Sequence, residues 1–196
     1  GNGAKQLMFN ALLVSLNPGD QVIIPAPYWV SYPQMVKIAD GEPIIVTCNQ
    51  AQNFKITPEL IENSLSTKTR WILLNSPGNP TGAVYNKDEL SAIAEVLRKN
   101  PHVGIMCDDI YEKVIFEDQE FYTMAQVAPD LSDKILTVNG VSKAYAMTGW
   151  RIGYAGGHKD LIAAMIKLQG QSTTNASSIG QAAALEALRG NQQFLE

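Results

Sequence analysis

Lys143 has the sequence surroundings that most favour covalent chemistry. It follows Ser142, precedes Arg151 by eight positions, and is the one charged residue between Gly140 and Trp150. A lysine amine that is buried or close to another cation loses its proton more easily and can attack a carbonyl carbon. The planar guanidinium of Arg151 suits a phosphate group. A solvated surface amine and a surface ion pair are the ordinary alternatives for these two side chains.

Three more polar residues follow apolar segments. Asp108 comes directly after VGIMC, Tyr111 lies three residues further on, and Asn79 belongs to the loop SPGNPTG that follows WILLN. A carboxylate can hold the proton of a pyridine nitrogen, and a phenol or an amide can donate to a ring oxygen. Considered singly, the aspartate is typical of a turn or cap and the asparagine of a tight turn.

The start of the chain offers a place for an anion. Gly3, Ala4 and Lys5 begin the first helical pattern, and the free backbone N–H groups at a helix start suit a phosphate. A glycine before a helix is more often only a turn, so this signal is weak by itself. Trp29, in the segment PYW, offers an aromatic face.

Helical and strand patterns alternate along the sequence. They predict an α/β fold, in which a mostly parallel, mixed sheet is flanked by helices. Strands are expected at QVIIP, PIIVTC, WILLN, VGIMC, KILTVN and IGYAGG. Helices are expected at about residues 4–16, 31–40, 56–65, 86–99, 158–168 and 177–188. Because ligand groups gather at the carboxyl edge of such sheets, we expect the polar residues described above to meet there.

Composition and charge limit the partners and the cellular location that can be expected for the protein. The 196 residues suffice for one compact domain, and the formal net charge of −4 without a basic run argues against a nucleic-acid partner. Cys48 and Cys107 lie in apolar stretches, which predicts buried free thiols. Together with the lack of a long apolar run, they predict a cytoplasmic protein without membrane association. No metal site is predicted.

The order GAK, PYW, NPTG, DDIY and SKAYAMTGWRIGY resembles the class I and II aminotransferases, which are fold-type I pyridoxal-phosphate enzymes. The resemblance is strongest to the aspartate and prephenate aminotransferase group and spans nearly all 196 residues. The segment SK(x)7R is its most specific part, followed by NPTG. It implies that residues 1–196 are the cofactor-binding large domain, and that an N-terminal arm and a C-terminal small domain lie outside this chain.

The resemblance also assigns roles around the cofactor ring. Lys143 is similar to the lysine that carries pyridoxal 5'-phosphate as a Schiff base and later moves the substrate's proton. Asp108 resembles the carboxylate that keeps the pyridine nitrogen protonated. Tyr111 and Asn79 resemble the donors to the ring oxygen, and Trp29 resembles the aromatic residue stacked on the ring. Asn79 and Trp29 are also expected to contact the substrate.

For the phosphate, the resemblance implies three contacts. These are the backbone of Gly3, Ala4 and Lys5, the hydroxyl of Ser142 and the guanidinium of Arg151. Gly140 departs from the family pattern, in which many relatives have a serine three residues before the lysine. One side-chain contact with the phosphate is therefore expected to be missing or replaced.

The activity that the resemblance implies is transamination between an amino acid, such as aspartate, and a 2-oxo acid, such as 2-oxoglutarate. It further implies a homodimer and a cis peptide bond between Asn79 and Pro80. Because the family's substrate-carboxylate arginine lies outside residues 1–196, this chain alone is expected to turn over poorly. The alternatives are a carbon–sulfur β-lyase on the same scaffold, a non-catalytic module of a regulator, or a plain α/β domain with accidental matches.

Overall fold

A mixed sheet organises the chain, for which a computed structural model describes residues 1–116 and 119–195. Within these residues the strands are β1 (Gln21–Ala26), β2 (Glu42–Thr47), β3 (Thr69–Asn75), β4 (Gly104–Asp108), β5 (Ile135–Gly140) and β6 (Gly153–Gly156). They lie side by side in the order β2-β1-β3-β4-β5-β6. The pairs from β2 to β5 are parallel, and β6 runs antiparallel to β5. The predicted mostly parallel, mixed sheet is confirmed.

Helices cover both faces of the sheet. They are α1 (Ala4–Ser15), α2 (Ser31–Ile38), α3 (Pro58–Ser64), α4 (Lys87–Arg98), α5 (Met124–Val127), α6 (Lys159–Gly170) and α7 (Ser178–Arg189). Helices α1, α2 and α6 share one apolar core, and α3, α4 and α5 share the core on the opposite face. The predicted helices are confirmed with ends displaced by at most two residues, whereas the short α5 was not predicted.

The central strand β3 shows why its sequence is apolar throughout. Ile72 and Leu74 pack into the core on one face, and Trp71 and Leu73 pack into the core on the other. Successive side chains of a strand point to opposite faces, so a strand covered on both sides needs an apolar residue at nearly every position.

Side-chain caps fix the starts of two helices. Asn86 and Glu89 bond each other's backbone N–H groups at 2.9 and 2.8 Å before α4. The Thr57 hydroxyl accepts from the Leu60 N–H at 3.3 Å before α3. Both caps follow from the preference of Asn and Thr for this position.

Cys48 and Cys107 are buried and unpaired within the described residues, as predicted. In that part of the chain, no helix combines the length and the apolar character needed to span a bilayer. The same residues contain no group of three or more His, Cys, Asp or Glu side chains arranged to hold a metal ion.

Candidate functional site

The carboxyl ends of neighbouring parallel strands meet at one edge of the sheet. Strands β3, β4 and β5 end at Asn75, Asp108 and Gly140, and β1 ends just before the segment containing Trp29. The loops carrying Asn79, Tyr111, Ser142 and Lys143 therefore begin at the same edge. This is the position at which open α/β sheets collect ligand groups.

A pocket of about 270 Å³ lies at this edge. It brings together nine of the ten residues predicted for the site: Ala4, Lys5, Trp29, Asn79, Asp108, Tyr111, Ser142, Lys143 and Arg151. The tenth, Gly3, lies against the Arg151 side chain. The pocket is also lined by Met8, Tyr32, Ile110 and Thr148, which were not predicted from the sequence.

Asp108 is buried beside the pocket, with 3% of its surface exposed. Its Oδ2 accepts a hydrogen bond from the Tyr32 hydroxyl at 2.7 Å, whereas its Oδ1 accepts only a long bond of 3.4 Å from the Ile110 N–H among the described residues. Burial raises the pKa of Asp108 to about 6, although the Tyr32 bond and the positive charge of Lys143 act in the opposite direction. One carboxylate oxygen thus remains accessible to a donor in the pocket.

Tyr32, the partner of Asp108, is one of the four lining residues that were not predicted from the sequence. It is 2% exposed, and its ring meets the Trp29 ring edge to face at a centroid distance of 5.4 Å. Burial and the neighbouring Asp108 raise the pKa of the Tyr32 hydroxyl well above its ordinary value, so the hydroxyl remains a donor. A tyrosine on the apolar face of a helix is typical of a core residue, and its partner lies 76 positions away.

Lys143 lines the same pocket, with its Nζ 5.4 Å from the centroid of the Tyr111 ring. The Asn79 Nδ2 donates to the Tyr111 hydroxyl at 3.5 Å. Lys143 is exposed, so of the two alternatives considered for it, burial or a nearby cation, burial does not hold.

The peptide bond between Asn79 and Pro80 is cis, as predicted. The bonds between Ala26 and Pro27 and between Ser76 and Pro77 are also cis, and these two were not predicted. The Asn79 N–H donates to the side chain of Asn75 at 2.8 Å, which ties this loop to the end of β3.

Arg151 lies beside the start of α1 in the lining of the pocket. Gly3 has φ 88° and ψ 160°, a conformation that is essentially restricted to glycine. A Cβ at this position would lie 2.9 Å from the Arg151 Cζ, so a side chain would displace the guanidinium. No side chain of the described residues caps α1, which leaves its first N–H groups available to an anion. Ser142 is buried nearby in the lining.

Close backbone packing explains the departure at Gly140. A Cβ there would lie 2.8 Å from the Ile152 carbonyl oxygen and 3.1 Å from the Gly153 Cα, because β6 pairs with β5 at this position. Residue 140 therefore has no room for a serine side chain. Gly153 is equally constrained, since its own Cβ would lie 2.6 Å from the Gly3 carbonyl carbon.

Comparison with known proteins shows the family of this chain. Residues 1–196 match the family described as aminotransferase class I and II. The chain is 57% identical over 195 residues to the aspartate/prephenate aminotransferase of Cereibacter sphaeroides, covering 100% of this chain and 49% of that protein. It is 52% identical over 194 residues to the aspartate aminotransferase of Rhizobium meliloti, covering 99% and 47%.

Solved structures of aspartate aminotransferases also match the fold of this chain. The crystal structure of the aspartate aminotransferase from Rhizobium meliloti matches with a TM-score of 0.98 and 51% identity, over 100% of this chain and 49% of that one. The aspartate aminotransferase from Thermus thermophilus with maleate matches with a TM-score of 0.91 and 44% identity, over 96% and 48%. The chain thus spans about half the length of the curated relatives it matches. With a family match over its whole length, this chain belongs to the class I and II aminotransferases.

Proposed function

We propose that the protein is a pyridoxal-phosphate-dependent aminotransferase that moves an amino group between an amino acid, such as aspartate, and a 2-oxo acid, such as 2-oxoglutarate. Family membership supports transamination as the reaction class. The observation that carries the proposal is the shared pocket, in which the buried Asp108 and the amine of Lys143 lie together and Arg151 supplies positive charge.

The residues present fit pyridoxal 5'-phosphate. The Oδ1 of Asp108 has room for a ring N–H donor, because its one partner among the described residues is 3.4 Å away. The cradle formed by Gly3 and Arg151, which a Cβ would fill, suits a phosphate beside the uncapped start of α1. Ser142 adds a hydroxyl to the same lining. When bound, the cofactor would withdraw electrons from the α-carbon of the substrate.

Each residue of the pocket has a role in this proposal. Lys143 would hold the aldehyde carbon of the cofactor and, once released, move a proton between the substrate's α-carbon and the cofactor C4'. Asp108 would hold the proton of the ring nitrogen. Tyr111 and Asn79 would donate to the ring oxygen, and Trp29 would cover the ring face. Asn79 and Trp29 would also contact the substrate.

We also propose an amino acid with a side-chain carboxylate, such as aspartate, as the amino donor. A relative named for aspartate, and a Thermus thermophilus relative whose structure contains the dicarboxylate maleate, support this class. Residues 1–196 would be the cofactor-binding large domain of a cytoplasmic homodimer. The oligomeric state and the cellular location stay predictions.

The products of turnover test this proposal. The protein expressed from its complete gene is incubated with aspartate, 2-oxoglutarate and pyridoxal 5'-phosphate, and four products are measured. We expect oxaloacetate and glutamate in equal amounts, because a transamination conserves the amino group. A parallel incubation contains cystathionine as the substrate. Release of pyruvate and ammonia from it, without formation of glutamate from aspartate, would instead support the carbon–sulfur β-lyase class. No turnover of either substrate set would contradict the proposed function.

A further inference from the structure

The side chain of Asn75 joins the end of β4 at Asp108 to the loop that carries Asn79. Its Nδ2 donates to the Asp108 carbonyl oxygen at 2.8 Å, and its Oδ1 accepts from the Asn79 N–H at 2.8 Å. Asn75 and Asp108 are register partners at the ends of the parallel strands β3 and β4. The Asn75 side-chain amide therefore adds one more hydrogen bond between β3 and β4 at their last pair of residues.

Asparagine suits this position chemically. An amide offers a donor and an acceptor in one plane, whereas an ionised aspartate only accepts and an alanine does neither. On the other side of β4, the Asp109 N–H donates to the Val138 carbonyl oxygen of β5 at 2.9 Å. The end of β4 is thus hydrogen-bonded to both neighbouring strands, and the Asn75 side chain makes the bond from β3.

We propose that Asn75 is a positioning residue for the cofactor, a role that rests on the proposed function. Asn75 is not among the residues that line the pocket, but both of its partners are. Asp108 would pair with the ring nitrogen, and Asn79 would donate to the oxygen of the same rigid ring. Because the two ring atoms have a fixed separation, the side chain that fixes Asp108 relative to Asn79 sets how well both contacts form together.

The test compares Asn75→Ala with Asn100→Ala in the protein expressed from its complete gene. Asn100 is a matched control, because it is also half-buried, lies at the end of α4, and donates from its Nδ2 to the Val96 carbonyl oxygen at 2.8 Å. We expect Asn75→Ala to weaken the affinity for pyridoxal 5'-phosphate by about tenfold, the size of effect that two lost hydrogen bonds allow. We expect Asn100→Ala to bind the cofactor like the wild type.

Two further measurements separate positioning from general loosening of the fold. In the cofactor-free protein, the backbone N–H of Asn79 should exchange its hydrogen faster in Asn75→Ala than in the wild type. In Asn100→Ala it should exchange at the wild-type rate. In the loaded protein, the pH midpoint of the visible absorbance should rise in Asn75→Ala, because a displaced Asn79 stabilises the deprotonated chromophore less.

The variant Asn75→Asp dissects the two bonds. Its carboxylate still accepts from the Asn79 N–H but cannot donate to the Asp108 carbonyl, so slow exchange at Asn79 should persist while cofactor affinity still falls. Wild-type cofactor affinity and an unchanged pH midpoint in both Asn75 variants would overturn the proposal, as would failure of both variants to fold. If the wild type itself forms no Schiff base at Lys143, the proposed function fails first, which is a distinguishable result.

Discussion

At the scale of single residues, the buried carboxylate of Asp108 lowers the stability of the cofactor-free protein at neutral pH. Burial raises the pKa of this carboxyl from an ordinary value of 3.8 to about 6, so its charge is unfavourable in the cofactor-free protein. A raised folded-state pKa means that the folded protein binds the proton more tightly than the unfolded chain between about pH 4 and pH 6. Stability therefore falls as the pH rises through this window, by roughly 3 kcal/mol for a shift of this size.

We expect Asp108→Asn to increase the free energy of unfolding of the cofactor-free protein at pH 8 by roughly 2 kcal/mol. Urea denaturation measures this gain, which should shrink as the pH is lowered from 6 towards 4, where Asp108 is itself protonated. The exposed Asp133→Asn is the control and should change stability little at either pH. Cofactor affinity should fall in Asp108→Asn. A variant less stable than the wild type at pH 8 would contradict this view.

At the scale of residues, the sequence indicates the pocket well but not its supports. Lys143, Asp108 and Arg151 could be singled out because the ordered motifs that contain them resemble a known family, whereas each residue alone has an ordinary structural explanation. Tyr32 and Asn75 could not, because their roles depend on partners 76 and 33 positions away. Asn75 reads as the last residue of an apolar strand, and no local pattern shows which carbonyl its amide reaches.

At the scale of elements, the position of the start of α1 depends on close backbone contact with β6 at glycine residues. The Gly1 nitrogen lies 2.9 Å from the Gly153 carbonyl oxygen, and the Gly153 N–H donates to the Gly1 carbonyl oxygen at 3.1 Å. Glycine at both positions 3 and 153 lets α1 approach β6 closely enough for Arg151 to lie beside the helix start.

Gly3→Ala tests this arrangement. It should destabilise the protein by about 1 kcal/mol or more through backbone strain, and weaken cofactor affinity by about tenfold by displacing the Arg151 guanidinium. Gly19→Ala is the matched control, because Gly19 also has a positive φ, of 86°, but its added Cβ would meet nothing within 4 Å. Thermal unfolding and cofactor titration give the two quantities. Equal losses of cofactor affinity in both variants would show that strain alone, and not the position of Arg151, is responsible.

The elements themselves were largely predictable because their patterns are local. The periodicity of α4 and its Asn86 cap lie within one stretch of sequence, so its bounds were nearly correct. Helix α5 was missed because its four residues are too few to show a helical period. The lack of space at Gly140 depends on the pairing of β5 with β6, and no feature near residue 140 reveals it.

At the scale of the molecule, the sequence predicts the class of sheet but not the direction of its last strand. The connection of residues 141–152 between β5 and β6 holds only a short 3-10 turn at Thr148–Trp150. A parallel return usually requires a helical crossover, and the antiparallel pairing of β6 is consistent with this rule. This reversal brings Arg151 back to the edge at which the parallel strands end.

Residues 1–196 correspond to about half of each curated relative. We expect these residues expressed alone to transaminate aspartate and 2-oxoglutarate at least about a hundredfold more slowly than the full-length Cereibacter sphaeroides relative, because the family resemblance implies a substrate-positioning arginine outside residues 1–196. A coupled assay for oxaloacetate measures the rate, and Lys143→Ala provides the background. Comparable rates would show that the pocket suffices.

The central claim is that the amine of Lys143 bonds covalently to the cofactor, and borohydride reduction followed by peptide mapping tests it most directly. Lys5 also lines the pocket and lies 4.6 Å from the centroid of the Trp29 ring, so it is the competing amine. We predict a pyridoxyl group on Lys143 in the wild type and in Lys5→Ala, and loss of both the label and the visible absorbance in Lys143→Ala. A label on Lys5, or a folded wild type that takes no label with excess cofactor, would contradict the account.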